Sequence, residues 1–194
     1  MKKLDESFYL RDTLTVAREL VGKVLVREMD GKKICLKITE TEAYIGAIDK
    51  ACHAYGGKIT ERTKTLYEKG GICYVYLIYG MYFCFNVITE TKGIASGVLI
   101  RGGVPFSGEN EMSLLRYNKP YSNLTKYQLK NFANGPGKLC LAMGIDKTFN
   151  EKSILSDDFY IADYGIETGE IKTGKRINID YAEEAIDFPW RFYV

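Results

Sequence analysis

Residues Tyr74–Asn86 read Tyr-Val-Tyr-Leu-Ile-Tyr-Gly-Met-Tyr-Phe-Cys-Phe-Asn, with four tyrosines, two phenylalanines and no charge. Aromatic and β-branched side chains favour extended backbone, and Gly80 divides the run into two strand-like halves. The run therefore predicts a β-hairpin with Tyr79 beside its tip. A tyrosine pairs an apolar ring with a polar tip, which suits either a core edge or a recognition surface. Whatever the protein grips, these rings are expected to touch it.

Other segments supply partners for such a hairpin. Lys23–Glu28 and Ile34–Tyr44 have strand character, and the Asp30-Gly31 pair between them is a strong hairpin signal. Gly97–Arg101 reads as a strand ending in a cation. Phe159–Ala162, Ile171 and Arg176–Asp180 read as short strands. Helices are predicted after Asp12, with Leu14, Ala17 and Val21 on one face, and over Gly108–Arg116 and Thr125–Asn131. Another opens at Pro136 and stops at Gly144. Residues 45–71 are broken up by glycines and read as a long irregular loop. Hairpins mixed with scattered helices argue for an α+β fold, and 194 residues suit one domain spanning 1–194.

Composition narrows the function classes. No apolar run reaches 18 residues, and the polar Met1–Glu6 start is unlike a secretory leader, so a cytoplasmic location is expected. Five cysteines without a Cys-x-x-Cys pair, and a single histidine, His53, give neither a disulfide framework nor a zinc site of familiar spacing. Neither metal nor cofactor is predicted. The net charge of +2 permits nucleic-acid binding without announcing it, so any such function must rest on local geometry.

Glu40 and Glu42 are the candidate acid–base groups. With strict alternation, Ile34, Leu36, Ile38, Glu40, Glu42 and Tyr44 share one face. The carboxylates then continue an apolar row, where partial desolvation makes a better base. Spacing alone favours the plainer reading, two surface glutamates at a fraying strand end. In the same way, a lone histidine, an aromatic run or a glycine-flanked helix start is usually structural when taken singly. The Asn134-Gly-Pro-Gly-Lys138 stretch can present backbone N–H groups to a phosphate, with Lys138 adding charge, but it lacks P-loop spacing.

Three segments together carry more. Glu40-Thr-Glu-Ala-Tyr-Ile-Gly46 with His53 downstream, the aromatic run, and Asn134-Gly-Pro-Gly-Lys-Leu-Cys140 resemble, in this order and spacing, the alkyladenine DNA glycosylases. These are the 3-methyladenine DNA glycosylases of the mammalian type. The similarity runs from about Thr13 to Val194. It implies a curved, largely antiparallel sheet with a protruding aromatic hairpin and peripheral helices. It also implies a monomeric, monofunctional enzyme that flips damaged purines out of duplex DNA and hydrolyses the N-glycosidic bond.

By the same resemblance, Glu42 is the general base and Arg101 helps hold the attacking water. Tyr44 and His53 wall one side of the base pocket and Tyr76 the other, while Asn86 at the floor rejects the 2-amino group of guanine. Tyr79 is the intercalating wedge. From their own charge and place, Lys58 and Arg62 in the long loop and Lys138 at the helix start are expected to face the DNA backbone. The chain departs from the pattern at Glu68-Lys-Gly-Gly71, at Glu61, and in ending at Val194 soon after Arg-Phe-Tyr. Two further readings stay beside this one. A non-catalytic module could stack its tyrosines on bases. A carbohydrate hydrolase could use Glu40 and Glu42, which as same-face strand neighbours would lie about 7 Å apart.

Overall fold

The computed structural model describes all 194 residues, and it opens with two elements that the sequence pattern does not announce. They are a two-residue strand β1 (Lys2–Lys3) and a single helical turn α1 (Glu6–Tyr9), the latter capped by Asp5. Helix α2 (Thr13–Leu20) follows, with the Asp12 carboxylate accepting from the Thr15 N–H. Its buried face is Thr13, Val16, Ala17 and Leu20, so Leu14 is displaced from the predicted stripe to the margin. The Asp-Gly signal works as expected. Asp30 (φ 50°) and Gly31 (φ 73°) make the tight turn between β2 (Val24–Met29) and β3 (Lys32–Ile45).

Residues 46–67 contain only three short 3-10 turns, in keeping with the glycine-broken sequence. The aromatic run forms β4 (Cys73–Ile78) and β5 (Tyr82–Ile88), paired antiparallel. Next, β6 (Ser96–Ser107) runs six residues beyond the Arg101 end expected from sequence, because Gly102 to Ser107 stay paired with the first half of β3. Helices α3 (Glu109–Tyr117), α4 (Lys126–Lys130) and α5 (Pro136–Met143) lie where they were predicted. The chain closes with β7 (Phe159–Asp163), β8 (Lys172–Gly174) and β9 (Arg191–Tyr193). Arg176–Asp180 is loop, not strand, and Ile171 precedes β8 rather than joining it.

All nine strands join one antiparallel sheet, ordered β1-β7-β2-β3-β6-β5-β4, with β9 and then β8 added beside the second half of β3. The fold is α+β. One sheet face carries the main core: Val16 and Leu20 of α2, Met112 of α3, and Leu139 and Met143 of α5 pack on Leu36, Val75, Phe85 and Ile100. Phe85 is fully buried against Phe159, 5.5 Å between ring centroids, so Phe85→Ala should cost about 3–5 kcal/mol. On the other face, residues from 46–67 and 175–188 pack around Tyr44, Tyr74 and Ile88, while Tyr164 and Ile166 pack on Val24, Val26 and Tyr160. No helix is long and apolar enough to cross a membrane, and all five cysteines are unpaired and buried.

One irregularity decides where the acidic pair points. Pairing between β3 and β6 slips between Ile38 and Glu40 and again between Glu40 and Thr41. The two shifts cancel in register and leave one extra residue in each strand, Thr39 in β3 and Arg101 in β6, and each bulge reverses the in–out alternation of the strand that carries it. Ile34, Leu36 and Ile38 therefore face the main core, but beyond the slip Ala43 does, and Thr41 donates to the Ala17 carbonyl of α2 at 2.7 Å. Glu40, Glu42 and Tyr44 turn to the other face. This corrects the alternation read from sequence: the carboxylates do not continue the apolar row.

Candidate active site

Across the face opposite the core, register lines up one row of side chains. Tyr74 pairs with Asn86, Asn86 with Leu99, and Leu99 with Glu42. Above it, Tyr76 pairs with Cys84 and Ile78 with Tyr82, so one hairpin face is Tyr74, Tyr76, Ile78, Tyr82, Cys84 and Asn86. Val75 and Phe85 on the reverse belong to the core. Leu77 is half exposed, and Ile78 lines the cavity described next.

That face and its cover enclose a cavity of about 530 Å³, within the usual range for small-molecule sites. Of the eleven residues singled out from sequence, nine line it, Glu42, Tyr44, His53, Arg62, Tyr76, Tyr79, Asn86, Arg101 and Lys138, and Glu40 does not. Lys58 lies outside it. Its carbonyl accepts from the Thr63 hydroxyl, and its side chain is exposed and unpaired.

Glu42 is 1% exposed, at the centre of the arrangement. Its Oε2 accepts from the Tyr44 hydroxyl at 2.7 Å, and its Oε1 accepts from the Ile177 N–H at 2.9 Å. Arg101 Nε lies 3.0 Å from Oε1. Burial pushes the Glu42 pKa up. The Tyr44 and Ile177 hydrogen bonds and the Arg101 charge hold it down in part, while the Glu40 charge adds to the rise. A buried carboxylate supplied with donors to its charged form, yet strained toward accepting a proton, is equipped to act as a base. Glu40 differs. Arg101 Nη1 binds both its oxygens at 3.1 Å, and Arg191 Nε lies 2.5 Å from Oε1, so two guanidinium groups already occupy it.

His53 Nδ1 lies 2.9 Å from the Tyr74 hydroxyl, and Nε2 lies 3.3 Å from Arg62 Nη2. Arg62 can only donate, so Nε2 must accept and the proton sits on Nδ1. The imidazole is thus neutral, and burial, with help from the Arg62 charge, lowers its pKa to about 4. Its ring meets Tyr76 edge-on, centroids 4.7 Å apart, and the Arg62 guanidinium lies 5.3 Å from the Tyr76 centroid. A planar base between two flat walls needs about 7 Å, twice a van der Waals contact, so these groups must part to admit one.

At the hairpin tip Met81 N–H bonds the Ile78 carbonyl, and Tyr79 and Gly80 have φ of 53° and 69°, a type I′ turn. Glycine takes such a φ freely; tyrosine is strained there by about 1–2 kcal/mol. Tyr79 is nonetheless 71% exposed, with Met81 bare beside it. Across the cavity, Gly137 at the start of α5 lets the helix approach: a Cβ there would stand 2.8 Å from the Tyr82 ring. Lys138 donates to Asn131 Oδ1 at 2.8 Å and Asn134 Oδ1 at 2.9 Å, both neutral, so its charge is left unpaired. Asn86 Nδ2 donates to the Tyr74 carbonyl at 3.2 Å, which fixes the amide orientation at the floor.

Several contributors were not visible in the sequence reading. Tyr74 orients His53, Cys84 and Tyr82 share the hairpin face, and residues 177–179 with Tyr181 close the cavity. Behind Tyr44 stands a buried pair, Arg176 with Asp49. Loop residues of this kind have no periodicity to betray them; only the odd combination of a charged residue beside Ile177 and Ile179 could have drawn notice.

Comparison with known proteins gives one answer over nearly the whole chain. A family model described as "Methylpurine-DNA glycosylase (MPG)" matches residues 7–194. Three bacterial proteins provisionally named 3-methyladenine DNA glycosylase are similar throughout. The one from Clostridium perfringens (strain SM101 / Type A) is 59% identical, covering 99% of this chain and 95% of its own length. That from Alkaliphilus oremlandii is 54% identical, with the same coverage. That from Desulfitobacterium hafniense is 50% identical, covering 100% and 96%.

Proposed function

The chain belongs to the methylpurine-DNA glycosylase family, and on that premise we propose that it excises alkylated purines, 3-methyladenine foremost, from duplex DNA. The observation that carries this reading is the single row Tyr74–Asn86–Leu99–Glu42, which sets a buried carboxylate on the same face as an aromatic hairpin. A module that only binds nucleic acid gains nothing from burying a carboxylate beneath its stacking surface, a burial that costs stability. The occupied state of Glu40 likewise argues against a pair of equivalent catalytic carboxylates.

In the proposed reaction the nucleotide leaves the stack, at a cost of a few kcal/mol, and Tyr79 fills the gap. The base enters beside Tyr76, Tyr44 and His53. Alkylation at N3 or N7 makes a purine cationic, and an aromatic face attracts such a charge by roughly 0.5–2 kcal/mol. Water adds to C1′ while the C1′–N bond breaks. The bonding electron pair goes to the base, cancelling its positive charge, and the proton lost by water goes to Glu42. Arg101 holds the water and, with the carboxylate, balances the charge growing on the sugar. Asn86, fixed by the Tyr74 carbonyl, screens the base edge.

Lys58, Arg62 and Lys138 meet the phosphates, and the unpaired charges of Lys58 and Lys138 suit that task. The product is an intact abasic site, since no lysine is buried beside Glu42 to act as a nucleophile. The enzyme works as a monomer in the cytoplasm, and deaminated purines such as hypoxanthine are further substrates. Duplexes carrying 3-methyladenine, 7-methylguanine, hypoxanthine or ethenoadenine test the reading through base release. Release of 3-methyladenine without strand cleavage is expected. Failure on all four would favour the binding module, and a borohydride-trapped adduct would overturn the monofunctional chemistry.

A further inference from the structure

Arg176 and Asp49 are fully buried and paired through two contacts, Nη1–Oδ2 at 2.5 Å and Nη2–Oδ1 at 2.8 Å. Arg176 also donates to the carbonyls of Ala43 (2.9 Å) and Ala185 (3.2 Å). Its guanidinium carbon lies 4.7 Å from the Tyr44 ring centroid and 5.1 Å from that of Trp190. A buried ion pair adds little net stability over apolar packing of the same volume, so what it orients is the better account of it. Here it ties the 175–188 segment, whose only regular structure is a 3-10 turn at Glu183–Asp187, to the end of β3 through the Ala43 carbonyl. The next residue along that segment, Ile177, gives its N–H to Glu42. The ring that Arg176 stacks on, Tyr44, gives its hydroxyl to the same carboxylate.

We propose that Arg176, fixed by Asp49, is a positioning residue for Glu42, holding two of its three donors in place and so keeping the carboxylate aimed and charged. The assignment rests on the proposed glycosylase reading only for its effect on base release. Several groups face or influence Glu42: Arg101 from β6, Glu40 and Tyr44 from β3, Cys84 from β5, the Ile177 N–H from the loop, and Arg191 of β9 through Glu40. Arg176 and Asp49 stand behind Tyr44. A plain charge effect and a positioning effect can therefore be separated by sign.

The test follows the Glu42 carboxyl titration by 13C NMR in the free protein, for wild type, Asp49→Asn and Arg176→Lys. Asp49→Asn removes a negative charge, which by Coulomb's law alone would lower the Glu42 pKa. Arg176→Lys keeps the charge but loses the bidentate fork. Positioning predicts a rise of about one unit in both, from loss of a hydrogen bond to the charged form. A fall, or no movement, in folded Asp49→Asn overturns the proposal. Should both variants lose the near-UV signal of the fold, amide exchange in the wild type decides. The Ile177 N–H is expected to exchange at least about a hundredfold more slowly than that of Asn178, which has no backbone partner. An unprotected Ile177 overturns the proposal.

In activity, the acid limb of single-turnover base release is expected to move up by the same unit, costing about tenfold below the limb. Affinity for lesion DNA should stay within threefold. A wild type that releases no base would sink the glycosylase reading while leaving the carboxyl titration to judge the clamp.

Discussion

The sharpest prediction is Glu42→Gln, because the site accommodates the swap almost isosterically. Glutamine's Oε1 can keep the Ile177 N–H at 2.9 Å and Arg101 Nε at 3.0 Å. Its NH₂ then faces the Tyr44 hydroxyl, which can turn its hydrogen away and accept. Arg101 keeps Glu40 as its counter-ion at 3.1 Å. The fold and lesion affinity should therefore survive. Losing a general base typically costs 10²–10⁴ in rate, about 2.7–5.4 kcal/mol of barrier. The measurement is single-turnover base release from a 3-methyladenine duplex, corrected for spontaneous depurination, beside the DNA dissociation constant. Glu40→Gln is the control. With two guanidinium groups already on it, Glu40 should matter by about tenfold or less, whereas paired catalytic carboxylates would both be crippled. A Glu42→Gln rate within tenfold of wild type, at unchanged affinity, refutes the base assignment.

Three other outcomes follow from the geometry. Tyr79→Asn puts Asn-Gly in the type I′ turn and should raise unfolding stability by about 0.5–1 kcal/mol while lowering excision from duplex DNA; a loss on both counts would mean that Tyr79 supports the fold. Arg62→Met frees the Tyr76 face and removes a cation from the mouth, so free 7-methylguanine should bind more tightly and DNA less tightly. Calorimetry showing both moving together would count against Arg62 occupying the base position. His53, with its pKa lowered to about 4, favours folding in its neutral form. That stability is present above the unfolded value near 6.5 and is lost as pH falls toward 4, on the order of 1–2 kcal/mol after solvent screening. Denaturant melts of His53→Asn should show a shallower decline across that window.

The hairpins, the helix caps and the α+β class were legible because each rests on local chemistry: Asp30-Gly31, Asp12, Pro136 and Gly144 act within a few residues of themselves. Nine of the residues that line the cavity were already named from the sequence, but not their geometry. Alternation placed Glu42 on the core face, and the slip around Glu40 put it on the other one. A slip of that kind is a property of two paired strands, and β3 alone does not encode it. Arg176 and Asp49 escaped notice for a related reason. They are 127 positions apart in sequence, and their pairing exists only once the loop 175–188 has closed over β3.

The slip also sets a thermodynamic tension at the site. On the core face Glu42 would have met only apolar side chains; on the cavity face it meets Tyr44, Ile177 and Arg101, and still burial dominates its pKa. A folded pKa above the unfolded one means that folding takes up a proton. The stability Glu42 contributes is complete below its unfolded pKa, near 4.3, and is lost as pH rises through the higher folded value. At neutral pH the ionised base is therefore less welcome in the fold than an amide of the same shape. Glu42→Gln removes the titration, so its unfolding free energy relative to wild type should climb as pH rises above the unfolded pKa and level off once the folded pKa is passed. Urea melts at several pH values measure this directly. A flat difference would mean that the three donors fully offset burial, and that the site holds its base at no cost to the fold.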